Sequence, residues 1–149
     1  MPSLFNLNIA NNILQRINHL QPNNVRQWGK MDAAQMMAHC SNVFEMSIGD
    51  KKQKRNLFSI IMGPLIKKMV MSPKPYKPGL PTGKDFVIAS DKDFYQEKER
   101  LLNLFNRFLE MGGEAVAKNE HALFGKLTAH EWGFTMWKHL DHHLRQFSA

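Results

Sequence analysis

The chain has 149 residues, 43% of them hydrophobic, with 20 basic residues against 13 acidic ones, a formal charge of +7, and a single cysteine. That length is enough for one domain to bury its own core, and one cysteine excludes an internal disulfide. A lone thiol among core residues fits a reducing compartment, and the opening MPSLFNLNIANN turns polar too early for a secretory signal, so a cytoplasmic protein is expected.

From about Asn6 to Leu20, the residues Ile9, Ile13, Ile17 and Leu20 recur at spacings of three and four, which predicts a first helix ended by Pro22. A second is predicted from Asp32, the N-cap of a DAAQ capping box, to about Ile48 ahead of Gly49-Asp50. Its apolar stripe takes in Met36, Cys40, Val43, Phe44 and Ser47. The charge excess follows immediately: nine basic residues and no acidic one lie between Lys51 and Lys84. Such a field attracts an anionic substrate, a phosphate backbone or an anionic membrane surface, and a solvated lysine-rich excursion is the plainer alternative.

Inside that excursion NLFSIIMGPLIKKMVM, residues 56–71, is apolar but interrupted by Gly63-Pro64, which predicts a short or kinked helix. Lysines intrude well before the roughly 20 apolar residues a membrane span needs. SPKPYKPGLPTG, residues 72–83, holds four prolines and reads as an extended loop. Asp91 to Met111 is the next long helix, with Phe94, Leu101, Leu104, Phe105 and Phe108 on one side and MGG as its stop signal. After a loop containing Gly125, Thr128 as N-cap and Glu131 three residues on form a second capping box and open the last helix. No segment alternates as a strand does. The expected architecture is a single all-α domain over residues 1–149, a four-helix bundle with a basic, partly helical insertion at 51–84 between the second and third long helices.

The last helix carries WKHLDHHLRQF, residues 137–147. Each helical residue turns about 100°, so His143 lies about 40° from His139 and one turn further along. By the same arithmetic Trp132, Thr135, Met136 and Gln146 share their sector, which turns the pair inward; His142 falls at the margin and Asp141 points nearly backwards. Two imidazoles make a weak site, so a third must come from another helix, and His39 stands in the inward sector of the second helix with Met36, Val43 and Met46. The competing reading is a helix end stabilised by histidines near its dipole, an effect of about 0.3–1 kcal/mol. His19, His121 and His130 read as surface or capping residues, and Cys40 as core. There is no HExxH, CxxC or GxSxG.

Three neutral imidazoles leave a coordination position open, the arrangement of catalytic sites, and they suit zinc or nickel. An ion there acidifies its water or takes a thiol as thiolate. Gln146 and Thr135, on the same face, are placed to hydrogen-bond a ligand or substrate.

A first histidine in MDAAQMMAHC and a terminal HxxxH followed by Gln in KHLDHHLRQF resemble the DinB/YfiT-like superfamily of metalloenzymes. The stretches WGKMDAAQMMAHC and HALFGKLTAHEWGFTMWKHLDHHLRQF look like a branch of it known only as a domain of unknown function. The resemblance runs from about Ile9 to Phe147 apart from the basic insertion. It implies an up-down-down-up bundle and a triad of His39, His139 and His143. It also implies kinship with transferases or isomerases that use small cytosolic thiols, many of them dimers. The superfamily ending HHRGQ is HHLRQ here, which keeps both histidines and the glutamine and loses the glycine.

Two functions follow as expectations. The first is a metal-dependent hydrolase or thiol transferase acting on a small molecule. The second is a binding module whose basic segment 51–77 lies on an anionic membrane or nucleic acid; Phe58 and Tyr76 are too few and too far apart for a base-stacking platform, so nucleic acid is not expected.

Overall fold

The computed structural model describes every residue except 53, 81 and 82, so the expectations for the loop at 72–83 fall partly outside the described residues. Among the described residues the protein is mostly helical: α1 Leu7–His19, α2 Ala33–Ser47, α3 Leu57–Val70, α4 Phe94–Val116 and α5 Ala129–Gln146. A 3-10 turn at Lys84–Phe86 and an antiparallel ribbon, β1 Glu120–His121 against β2 Gly125–Lys126, complete it. The ribbon departs from the expectation of no strands. Two residues per strand are too few to show any alternation.

Local chemistry fixes the helix starts. Asn6 accepts from the N–H groups of Asn8 and Ile9, Asp32 and Gln35 close a reciprocal box, and Thr128 and Glu131 close another. Each such cap stabilises by about 1 kcal/mol. α4 starts later than expected, because the side chain that accepts from Gln96 N–H is Asp93 and not Asp91. Its stop is half right. Gly112 leaves the helix at φ 75°, but the chain then turns once more to Val116. A side chain at Gly113 would bring its Cβ within 2.8 Å of Ala129 Cβ, so that glycine serves a close contact.

α3 runs for 14 residues as one helix with Gly63-Pro64 inside it, where a short or kinked helix is expected. Pro64 forfeits its bond to the Ile60 carbonyl, but Gly63 has no Cβ to meet the proline ring, which removes part of the usual clash. Gly63 also lets α3 approach the ribbon, where a Cβ would collide with the Leu123 carbonyl oxygen. Arg55 holds the same junction, donating to the Ser59 carbonyl at 3.0 Å and packing over Gly125.

α2 is buried on almost every side and packs against α4 and α5, while α1 packs against α5 and α4. Phe44, Phe105, Phe108, Trp132 and Leu140 fill the space between them. Contacts along α2 and α4 climb together: Gln35 to the Ser90 carbonyl, Asn42 and Glu45 to Arg100, Asp50 to Arg107. Contacts of the α1 and α5 regions also climb together, from Leu4 with Gly133 to Arg16 with Asp141. Those of α1 with α4 run oppositely, Lys98 reaching the Asn18 and Leu20 carbonyls while Phe108 stacks on Phe5.

Candidate metal centre

α2 carries His39 and α5 carries His139 and His143, and the packing of the two helices brings the three rings together. Their centroids are 4.7–5.0 Å apart, and one ligand atom from each lies within 4.8 Å of the others. Zinc–nitrogen bonds of about 2.0–2.1 Å hold tetrahedral ligand atoms about 3.3 Å apart, so loading closes the rings by no more than about 1.5 Å.

Hydrogen bonds fix which nitrogens are available. His39 Nδ1 is 2.8 Å from the Phe86 carbonyl, which can only accept, so Nδ1 carries the proton and Nε2 keeps its lone pair. The Gln146 amide donates to the Trp28 carbonyl at 2.8 Å, which orients its oxygen toward His143 Nδ1 at 2.9 Å. His143 therefore donates there and keeps Nε2 free. His139 Nε2 is shielded from solvent with no hydrogen-bond partner, although part of the residue is exposed. A buried nitrogen left in this way costs about 1–3 kcal/mol, which coordination would remove.

All three rings are held neutral. Burial lowers the pKa of His39 against a smaller opposing effect from the Phe86 carbonyl. Burial and then the neighbouring His39 bring His143 down to about 3. For His139 burial comes first and the surrounding histidines add to it, taking its pKa well below the ordinary value. The trio contains no carboxylate. Its donors are thus the neutral imidazoles that divalent transition metals accept, and the residues present fit such an ion.

The other residues singled out in the sequence lie around the three rings or apart from them. Gln146 meets His143 and the Trp28 carbonyl, with one hydrogen bond at each end of its amide. Thr135 Oγ1, one turn before His139, is buried with no partner. His142 packs between the rings of Trp28 and Tyr76, at 5.5 and 5.7 Å. Asp141 is held by Arg16 and Arg145. The Cys40 thiol is buried, its pKa raised by burial, and 3.7 Å from Met36 Sδ.

His121, expected at the surface or in a capping role, is half-buried. It stacks on Phe124 at 4.2 Å, its Nδ1 accepts from the N–H groups of Leu123 and Phe124, and burial followed by the nearby Arg55 charge lowers its pKa to about 3. His19 and His130 are exposed, as expected.

Lys138, beside the triad in sequence, escaped notice there. It is buried and donates to the Val70 and Ser72 carbonyls at 2.7 Å each, over the Tyr76 ring, and so ties the end of α3 to α5. Asp141 three positions on suggests an ordinary surface pair instead. The carbonyls of Phe86 and Trp28 have no signature in the sequence at all. Away from the histidines, a groove of about 400 Å³ runs along α2 and α4, and its Arg100–Glu45 and Arg107–Asp50 pairs satisfy one another.

Fold and site together define a mostly helical protein whose interior gathers three neutral imidazoles close enough to share a divalent ion. The chain belongs to the family described as "Protein of unknown function (DUF1569)", whose model matches residues 3–149. No curated protein and no solved structure matches it.

Proposed function

We propose that this chain is a metal-dependent enzyme in which His39, His139 and His143 hold zinc or nickel. It acts on a small electrophilic substrate either as a hydrolase or as a transferase that uses a small thiol. In this reading residues 1–149 are one domain, an up-down-down-up four-helix bundle of the DinB/YfiT kind made of α1, α2, α4 and α5. The climbing contacts of α2 with α4, and of α1 with α5, support that topology, as does the long connection 48–93 that two parallel neighbours require.

The observation that carries the proposal is the convergence of three neutral rings, two with their Nδ1 protons anchored to oxygen and the third with a buried, partnerless nitrogen. A divalent ion in such a set supplies Lewis acidity and brings the pKa of a water or thiol toward neutrality. Gln146 holds the His143 ring in one tautomer, the Phe86 carbonyl does so for His39, and Thr135 Oγ1 offers a free hydroxyl on the same face as His139.

Elemental analysis of the full, untagged chain tests the reading. Near-stoichiometric zinc or nickel is expected, lost in His139→Ala with the helical circular-dichroism spectrum retained. Failure to retain or take up either ion in the wild-type chain overturns it.

A further inference from the structure

α3 is built inside out. Taking about 100° per residue from Leu57, its buried Ser59, Gly63 and Val70 fall within about 200–240°. The large apolar residues Leu57, Phe58, Ile60, Ile61, Leu65 and Met69 spread over the opposite half, and their exposures run from 54% at Ile60 to 72% at Leu57. A surface helix ordinarily turns its apolar stripe inward. Here the small face is locked inward: Gly63 abuts the Leu123 carbonyl, Arg55 clasps the Ser59 carbonyl, and Lys138 holds the end of the helix. The apolar half cannot roll into the core without undoing these contacts.

What covers this face is indicated by charge. Lys68 lies at the middle of the apolar arc, Lys52 and Lys54 precede the helix, and Lys74 and Lys77 follow it, all exposed. No acidic residue occurs between Lys51 and Lys84. Two copies meeting through this face would bring like charges together, whereas an anionic lipid surface meets apolar side chains and lysines at once. No helix among the described residues is long and apolar enough to cross a membrane. A 14-residue helix with an apolar half lies along the interface instead.

We propose that the outward face of α3 docks the protein on anionic phospholipid, with Leu57, Phe58, Ile61 and Leu65 entering the headgroup boundary and the flanking lysines meeting lipid phosphates. Such binding depends on the apolar face and on charge together, and is independent of the histidines.

Flotation of the full chain with phosphatidylglycerol/phosphatidylcholine vesicles, against phosphatidylcholine alone, tests this. At about 50 mM salt the chain is expected to float with the anionic vesicles and bind pure phosphatidylcholine at least about tenfold more weakly. The triple variant Leu57→Ser, Ile61→Ser, Leu65→Ser should lose about tenfold or more while keeping its helical spectrum, because the replaced residues are exposed. His139→Ala should float like the wild type, which separates this proposal from the metal reading. Absence of flotation at low salt overturns it, as does undiminished flotation of the triple variant. A wild-type dimer that the triple variant dissociates, or displacement from vesicles by duplex DNA at equal charge, also overturns it, since the face would then belong to a second copy or to nucleic acid.

Discussion

Gln146 has one carbonyl and one amino group, and both are in use, the first on His143 and the second on the Trp28 carbonyl. Replacing it with leucine keeps the bulk but leaves His143 Nδ1–H and the Trp28 carbonyl without partners. We expect Gln146→Leu to weaken zinc binding about 10–100-fold, the usual effect of removing an outer partner of a metal-binding histidine. Competition with a chromophoric chelator measures it, and unchanged affinity would remove Gln146 from the site. The three histidines were legible because a helix turns by a fixed angle and faces can be counted. Of the three oxygen atoms that orient them, Gln146 Oε1 was within reach of the same count, and the other two were not, since they belong to the main chain.

The starts of α2 and α5 were legible too. The boxes at Asp32 and Thr128 are complete within four residues and need no distant partner. How α3 is seated was not legible, because it depends on what Gly63 touches far away in sequence, the Leu123 carbonyl. A methyl group there meets backbone, which cannot swing aside. Gly63→Ala is therefore expected to detach α3 from the ribbon, seen as faster amide exchange over 57–70 with α2 and α5 still protected. Unchanged protection of α3 would show that Lys138 and Arg55 suffice to hold it.

Across the molecule, burial of histidines makes stability depend on pH in one direction. His121 and His143 titrate near 3 when folded and near 6.5 when free, so the unfolded chain binds more protons between those values. The stability these groups contribute is fully present above about 6.5 and is lost as pH falls toward 3, by up to about 1.4 kcal/mol per pH unit for one such group. Urea unfolding of metal-free protein from neutral to acid pH measures the slope. His121→Phe, which keeps a ring against Phe124, should be less stable at neutral pH yet flatter below it; an unaltered slope would mean that His121 protonates without disturbing the Leu123 and Phe124 N–H groups.

The acceptors that hold His39 and Gln146 in place are the carbonyls of Phe86 and Trp28. Every amino acid supplies the same atom there, so side-chain scanning at these two positions will report packing and miss their polar task. Genetic drift could rewrite both side chains while the imidazole orientation survives untouched. Only a change of chain path, such as a one-residue deletion ahead of position 86, exposes how much hangs on that oxygen.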